Sequence, residues 1–235
     1  MLRFFATLVA LLALAQCTGA AEPVRERIEW ADYWVTDAEK DDLPRVLFIG
    51  DSIVKGYFSA AEKQLAGKVR CARLATSKCV ADPLFLDEVR LLLKQYRFDV
   101  IHFNNGLHGW GYSEDQYRDG LQKFLTALPK EAGDAKIVWA TSTPMRASSD
   151  LGKFHEKNQR VVARNRLAAE VMKQRGLPTN DLYGLVEPHP DWHSKDGVHF
   201  NNHGKTAQGA AVAESVIKQL RHAATPGKRD DVNDQ

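Results

Sequence analysis

The apolar run Val46–Ile49, bounded by Pro44 and Gly50, constrains the fold of this chain more than any other stretch. Four apolar residues without polar alternation are typical of a strand that is buried on both faces, and such strands occur in parallel sheets covered by helices. The run leads directly into polar residues that include Ser52. Ligands of α/β sheets bind beyond the carboxyl ends of the strands, so Ser52 lies where a functional site is expected. A serine at this place can also serve as the N-cap of the next helix.

Further apolar runs alternate with helical patterns along the chain. The predicted later strands are Val69–Leu74, Asp99–Phe103, Lys136–Ala140 and Leu182–Val186. The predicted helices are Tyr57–Leu65, one after Asp82-Pro83, one after the capping box Ser113-Glu114-Asp115-Gln116, Lys153–Arg175 with a solvated basic face, and one after His199. This alternation with short connections predicts a single doubly wound α/β domain.

The size and charge of the chain limit the possible classes of function. Its 235 residues, 44% of them apolar, are enough for the core of one α/β domain. The formal net charge of +2 gives no electrostatic case for a nucleic-acid partner. The domain is predicted at residues 44–222. Residues 22–43 are predicted to be a surface segment whose aromatic side chains pack on the domain, and residues 223–235 a polar, disordered tail. Nothing in the sequence sets the oligomeric state.

Residues 1–21 have the pattern of a secretory signal peptide. Arg3 precedes an apolar run, Phe4–Ala15, and small residues lead to a cleavage point near Ala21. The apolar run is too short to form a stable membrane span. Cys17 could be lipidated, but the glutamine before it is unfavourable in a lipoprotein signal, so plain cleavage is favoured. We therefore expect export to the periplasm or outside the cell.

Two cysteines, Cys71 and Cys79, remain after the predicted cleavage. In an oxidising compartment a pair at this spacing could form a disulfide bond. Both could equally be small buried apolar residues. The separation of their Cα atoms decides between these alternatives, and the sequence does not fix it.

A second functional motif lies close to the predicted final helix. Asp196 and His199 are three residues apart and come just before that helix. A serine hydroxyl becomes an effective nucleophile only when a base removes its proton. A histidine can do this near neutral pH, and a carboxylate can hold the histidine in the required tautomer. Ser52, His199 and Asp196 could supply these roles.

Gly50-Asp51-Ser52-Ile53 after a buried strand, together with Asp196-x-x-His199 before a final helix, resembles the SGNH/GDSL hydrolase family. The resemblance extends over roughly Pro44 to Leu220. It implies a flavodoxin-like three-layer α/β/α sandwich with about five parallel strands. It also implies hydrolysis of carboxylic esters, with Ser52 as the nucleophile, His199 as the base and Asp196 as the residue that orients the base.

The implied mechanism requires no metal and no organic cofactor. A run with His189, Asp191 and His193 offers side chains of the kind that bind metals. Metal sites need ligands that converge, and this run is interrupted by proline, so no metal site is predicted there.

The family's first two oxyanion donors are backbone N–H groups, one at the nucleophile and one at a glycine after the second strand. Ser52 can supply the first. No glycine occurs between Lys68 and Asn105, which departs from the family pattern. Either Ser77, Lys78 or Cys79 supplies the second backbone N–H, with Ser77 taken as the candidate, or this donor is missing.

The family's third donor is an asparagine in the block Gly-x-Asn-Asp. When Gly106 is aligned with the glycine of this block, His108 takes the place of the asparagine. A histidine N–H can donate to an oxyanion as an amide can. Asn104 and Asn105 follow the predicted strand Asp99–Phe103 and could donate instead. They could also only satisfy backbone groups of the loop.

A small-molecule or polysaccharide ester is the expected substrate, because exported members of the family often remove acetyl groups from carbohydrates. Asp51, Asn105 and Trp110 are the residues predicted to contact it. Three alternatives stay open: a lipase-like or thioester hydrolase, an acyltransferase in which a sugar hydroxyl replaces water, and a degraded site that only binds glycans.

Overall fold

The computed structural model describes residues 22–223. The predicted signal peptide, with the alternative lipidation site Cys17, lies outside these residues, as does the predicted tail from residue 224 onward. Among the residues that are described, no helix is both long enough and apolar enough to cross a membrane.

The elements follow one another in the expected alternation. The strands are β1 (Ala31–Val35), β2 (Arg45–Gly50), β3 (Arg70–Thr76), β4 (Val100–Phe103), β5 (Lys136–Ala140), β6 (Arg146–Ala147), β7 (Asp150–Phe154) and β8 (Thr179–Asn180). The helices are α1 (Ser52–Leu65), α2 (Phe85–Leu93), α3 (Glu114–Ala132), α4 (Asn158–Arg175), α5 (Leu182–Val186) and α6 (Asn202–Ala223), with a 3₁₀ turn at Pro190–Trp192.

The main sheet has six strands in the order β1-β3-β2-β4-β5-β8. Every neighbouring pair is parallel except β1 and β3, which are antiparallel. The predicted α/β fold with about five parallel strands is therefore confirmed, with one antiparallel edge strand added to it. A separate two-stranded hairpin is formed by β6 and β7.

The run Val46–Ile49 lies at the centre of this architecture, because β2 pairs with β3 on one side and with β4 on the other. Successive side chains of a strand point to opposite faces of the sheet. Val46 and Phe48 accordingly belong to one buried apolar cluster, and Leu47 and Ile49 to a second. The two clusters are the interfaces between the sheet and its two helical layers.

Helices α1 and α6 pack against each other closely enough to require a glycine. A side-chain carbon at Gly209 on α6 would lie 2.6 Å from the Cβ of Ala60 and 2.7 Å from the backbone nitrogen of Ala61 on α1. Such separations are shorter than van der Waals contact, so only glycine fits there. The helix that begins at Ser52 is thus tightly docked on the helix that follows His199.

Several element boundaries differ from the sequence prediction, and helix α1 begins at Ser52 instead of Tyr57. Helix α2 begins at Phe85, because Asp82 accepts from the N–H of Leu84 in the turn before the helix. Helix α4 begins at Asn158, since the residues before it form β7. The predicted strand Leu182–Val186 is the helix α5, capped by Asp181 at the N–H of Gly184.

The segment 22–43 is more than the predicted surface layer, because it contributes β1 to the edge of the sheet. The exposed fractions of Tyr33 and Trp34 are 60% and 57%. These two aromatic side chains therefore do not pack on the domain as predicted. Main-chain hydrogen bonds between β1 and β3 attach the segment instead.

Cys71 and Cys79 are both free and buried in the structure. They belong to different apolar clusters, on opposite faces of the sheet, so they cannot form a disulfide bond without refolding. Burial raises the pKa of the Cys71 thiol to about 12 and raises that of Cys79 as well. Both thiols should therefore react slowly in the folded protein.

We expect unreduced protein to take up two alkyl groups at Cys71 and Cys79 when it is unfolded in the presence of an alkylating agent. Mass spectrometry of the residue 22–235 fragment measures the uptake. A reductant should leave the melting temperature unchanged, because Cys71 and Cys79 form no crosslink that restricts the unfolded chain. Protein that resists alkylation until it is reduced would show that the bridge exists.

Candidate active site

In the turn between β2 and α1, Asp51 rather than Ser52 caps the helix, so the hydroxyl of Ser52 is not used as a cap. The Asp51 Oδ1 atom accepts from the N–H of Ile53 at 2.8 Å and caps α1. Ser52 is the first residue of the helix and is only partly buried. The sequence leaves open that Ser52 is the cap; the structure assigns the cap to Asp51.

Asp51 is buried, with an exposed fraction of 3%, and its carboxylate caps α1, so little of it is left for the predicted substrate contact. Burial raises the pKa of the Asp51 carboxyl, and the neighbouring imidazoles of His108 and His199 and the hydrogen bond from Ile53 act in the opposite direction.

Ser52, His199 and Asp196 are in hydrogen-bond contact. The Ser52 hydroxyl donates to His199 Nε2, with 2.8 Å between the oxygen and the nitrogen. On the other side of the ring, His199 Nδ1 lies 2.7 Å from Asp196 Oδ2. A carboxylate holds the proton on Nδ1 and leaves Nε2 free to accept, which is the tautomer that a base requires.

The Asp196 carboxylate is itself held in place by the backbone. Its Oδ1 atom accepts from the N–H groups of Val198 and His199 at 2.8 and 2.9 Å. Burial acts to raise the pKa of Asp196, but the hydrogen bonds from the His199 ring and from the two backbone N–H groups outweigh it, so the pKa lies below its usual value. Asp196 thus remains ionised near neutral pH.

The loop that carries Asp196 and His199 rests on the β6–β7 hairpin. Gly197 has a φ of +74°, and a Cβ atom there would lie 2.1 Å from the carbonyl oxygen of Arg146. The N–H of Arg146 donates to the Gly197 carbonyl at 2.7 Å. Only glycine combines this φ with so close an approach. No motif in the sequence indicates this support.

The predicted oxyanion donor Ser77 is engaged elsewhere. Its N–H donates to the carbonyl of Trp30 at 3.0 Å, and its hydroxyl accepts from the N–H of Trp30 at 3.0 Å. The N–H of Lys78 donates to Thr76 Oγ1. Of the three predicted amides, only that of Cys79 has no acceptor among residues 22–223. Antiparallel pairing of the segment 22–43 with β3 brings Trp30 to Ser77, and the sequence prediction does not foresee it.

Asn104 and Asn105 are also occupied. The Asn104 side-chain nitrogen donates to the carbonyl of Ala140 at 2.8 Å and to Ser142 Oγ at 3.2 Å, which uses both of its protons. Asn105 accepts from the N–H of Val80 and donates to the carbonyl of Lys78. The predicted role of Asn104 as an oxyanion donor is therefore not available in this arrangement. Asn105 is buried and keeps one N–H of its side-chain amide without a partner among residues 22–223, so its predicted role stays a prediction.

His108 keeps one ring nitrogen without a protein partner. Nδ1 lies 2.9 Å from Glu26 Oε2, whereas no atom of the described part of the chain bonds to Nε2. The N–H of Ser52 likewise has no acceptor within that part. Of the predicted oxyanion donors, the structure thus leaves the Ser52 amide, the Cys79 amide and the His108 ring available.

Two arginines of α4 hold the loop that contains His108. Arg164 donates to the carbonyl of His108 at 2.6 Å and to that of Gly109 at 2.9 Å. Arg160 donates to the carbonyl of Trp110. Arg164 is fully buried, so the predicted solvated basic face of this helix is wrong at its central position.

Trp110, a predicted substrate contact, packs against the same helix. The charged groups of Arg164, Arg160 and Lys157 lie 4.9, 5.6 and 5.4 Å from the centre of its ring. These cation–π contacts occupy the aromatic surface that a sugar ring would need. The structure therefore gives Trp110 a part in the attachment of the loop to α4.

The side chains of the suspected metal run do not converge. His189 stacks on Trp192 with 3.7 Å between the ring centres. His193 is buried, and its Nε2 lies 3.3 Å from the carbonyl of Pro144. Within residues 22–223 there is no group of His, Cys, Asp and Glu side chains that could hold a metal ion.

A cleft of about 330 Å³ opens beside the Ser52 hydroxyl. Its lining includes Ser52 and His199, the apolar Ile53 and Phe200, and the basic Lys55 and Lys205. The side chains of His199 and Asp196 are 46% and 52% exposed. The site is thus partly open to solvent and has a mixed polar and apolar lining.

No family model matches this chain, and no curated protein matches it by sequence. Solved structures do match it. The aryl esterase of M. smegmatis is 16% identical with a TM-score of 0.63, and the match covers 75% of this chain and 100% of that one. The acetyl xylan esterase AlAXEase is 18% identical with a TM-score of 0.60, over 74% and 100% of the two chains. A GDSL-like lipase from Bacteroides thetaiotaomicron is 15% identical with a TM-score of 0.55, over 74% and 88%.

These likenesses show that the chain has the fold of GDSL-like lipases and esterases. At such low identities the comparison concerns the fold alone, and the chemistry has to be argued from the site itself.

Proposed function

We propose that this chain, with the fold of GDSL-like lipases and esterases, is a serine esterase that hydrolyses short-acyl esters, acetyl esters above all. The observation that supports it is the continuous hydrogen-bond chain from Ser52 through His199 to Asp196. Ser52 attacks the ester carbonyl, and His199 takes the hydroxyl proton and returns it to the leaving alcohol. Water then releases the acid from Ser52 in a second, equivalent step.

The oxyanion that forms during the attack needs donors on the opposite side from His199. The N–H of Ser52 and the Nε2 atom of His108 are the proposed donors, and the N–H of Cys79 is a third candidate in place of Ser77. Preorganised donors of this kind stabilise the transition state because they need not reorient when the charge develops. His108 thereby replaces the side-chain amide that the family resemblance implies.

The shape of the cleft supports a short acyl group. A volume of about 330 Å³, with Lys55 and Lys205 in the lining, has no long apolar channel for a fatty acyl chain. The openness of the site also suits a bulky alcohol, such as a polysaccharide. We propose an acetylated carbohydrate as the substrate, a choice in keeping with the likeness to an acetyl xylan esterase. Export through the leader at residues 1–21 is part of the same proposal.

A series of 4-nitrophenyl esters tests the acyl preference. We expect kcat/KM to be highest for the acetyl ester and to fall steeply from octanoyl to palmitoyl, because the longer chains have no apolar surface to bury. Acetylated xylan and an acetylated neutral sugar serve as natural-type substrates, with acetate release as the measurement. A maximum at long acyl chains would support a lipase instead, and transfer of acetyl to an added sugar acceptor would support an acyltransferase.

A further inference from the structure

The segment 22–43 reaches the active site from outside the core of the fold. The N–H of Val24 donates to the hydroxyl of Tyr112 at 2.8 Å, and the N–H of Trp30 donates to the hydroxyl of Ser77 at 3.0 Å. Tyr112 and Ser77 belong to the loops after β4 and β3. The segment therefore ties together two of the loops that surround Ser52.

Glu26 is the residue of this segment that forms a hydrogen bond with His108. One carboxylate oxygen lies 2.9 Å from His108 Nδ1, and the other accepts from the N–H of Gly109 at 2.7 Å. Both side chains are mostly buried, with exposed fractions of 22% for His108 and 26% for Glu26. Two contacts from one rigid carboxylate fix the direction of the imidazole ring as well as its position.

Two further contacts hold the same ring. The edge of Trp30 packs on it with 6.0 Å between the ring centres. Arg164 holds the backbone of His108 through its carbonyl oxygen. The ring thus has little freedom to turn, and Nε2 is the nitrogen that it presents away from Glu26.

The contact with Glu26 also bears on which ring nitrogens of His108 carry a proton. A nitrogen that faces a carboxylate carries a proton, so Nδ1 is the donor to Glu26. Nε2 can donate as well only when the ring is an imidazolium. The ionisable groups around the ring are the Glu26 carboxylate at Nδ1, the buried Asp51 carboxyl, and the Arg164 guanidinium at the His108 carbonyl. The Glu26 carboxylate is placed to be the counter-ion of the doubly protonated ring that the proposed donor requires.

We infer that Glu26 is a positioning residue of the esterase site: it binds His108 Nδ1 and the N–H of Gly109 and so orients the ring for donation from Nε2–H to the oxyanion. This inference rests on the proposed esterase function. It makes the segment 22–43 part of the active site, although the motifs that predict catalysis all lie after residue 44.

Glu26→Gln tests the inference, because glutamine keeps the size of the side chain and removes its charge. We expect kcat for a 4-nitrophenyl acetate assay to fall about ten- to a hundredfold, as is usual for a residue that orients a functional histidine. KM should change less than about twofold, since the bond to the oxyanion is made in the transition state. Glu39→Gln is the matched control. Glu39 lies on the same segment, is exposed and contacts neither His108 nor Glu26, so the kcat of this variant should stay at the wild-type level.

A double-mutant cycle with His108→Asn separates positioning from a merely structural role. The NH₂ group of an asparagine always carries its protons and does not need a carboxylate partner in order to donate. Glu26→Gln in this background should therefore change kcat less than about twofold. His108→Ala should lower kcat by about two to three orders of magnitude, the usual loss for one oxyanion donor. If Glu26→Gln lowers kcat by the same factor in the wild-type and His108→Asn backgrounds, Glu26 only anchors the segment and the inference is overturned.

Folding is monitored by the melting temperature of each variant. Should Glu26→Gln fold poorly, Glu26→Asp replaces it, because the shorter carboxylate keeps the charge and cannot reach both Nδ1 and the N–H of Gly109. Wild-type activity that survives Glu26→Gln unchanged overturns this inference and leaves the esterase proposal standing. A wild-type protein that hydrolyses no ester in the acyl series overturns both.

Discussion

Ser52→Ala is expected to lower kcat/KM for an acetyl ester by on the order of 10⁵ to 10⁶, with an unchanged melting temperature. The substitution removes the atom that forms the acyl-enzyme and leaves the fold intact, since Asp51 rather than Ser52 caps α1. His199→Ala should cause a loss of similar size, because the nucleophile and its base act as one unit. The small remaining rate comes from the oxyanion donors and from substrate binding.

Two measurements accompany this prediction. Ser59→Ala, an exposed serine on the same helix α1, is the control and should behave as wild type. A fluorophosphonate probe should label wild-type protein at Ser52, identified by peptide mass spectrometry, and should not label Ser52→Ala. A Ser52→Ala variant that keeps most of its activity would mean that the nucleophile is another residue.

Asp196→Asn is expected to lower kcat by about four orders of magnitude, because it would force the wrong tautomer on His199. In the structure, Asp196 Oδ1 accepts from the backbone N–H groups of Val198 and His199. The amide oxygen of an asparagine must take that place, since an NH₂ group cannot accept a hydrogen bond from an N–H. The NH₂ group then faces His199 Nδ1 and donates to it. The ring proton moves to Nε2, which can no longer take the proton of Ser52.

Asp191→Asn provides the matched control, because Asp191 is an exposed acid of the loop that leads to Asp196. The comparison with Asp196→Ala is the sharper part of the experiment. Alanine leaves the tautomer of His199 free, so Asp196→Ala should be no slower than Asp196→Asn despite the larger truncation. Near wild-type activity of Asp196→Asn would show that another group orients His199.

The central strands could be predicted because their sequence signal is local. A continuous apolar run such as Val46–Ile49 has few alternatives to a buried strand. The run Leu182–Val186 has the same signal but forms a helix, because a short apolar run does not distinguish the two and Asp181 caps the first turn. The β6–β7 hairpin has no such signal, since its residues are mostly polar and exposed and pair only in the context of the loop at Gly197.

The candidate triad could be proposed from the sequence for the same reason, since Asp196 and His199 are three residues apart and Ser52 follows a recognisable strand. The oxyanion donors could not be assigned, because hydrogen-bond competition between distant residues decides which groups are free. The N–H of Ser77 donates to the carbonyl of Trp30, 47 positions earlier. The side-chain amide of Asn104 donates to the carbonyl of Ala140, 36 positions later. Glu26 lies 82 positions from His108 and carries no motif that would indicate their contact.

The close docking of α6 on α1 has a consequence for the time at which the protein becomes reactive. Ser52 and His199 are 147 positions apart, and His199 precedes the final helix of the described residues. At about 5–20 residues per second, synthesis of the intervening chain takes roughly 7 to 30 s. During that interval a growing chain possesses a nucleophile without its base. Esterase activity should therefore be absent from ribosome-bound chains that stop before residue 199. It should appear only when α6 has been synthesised and has packed against α1.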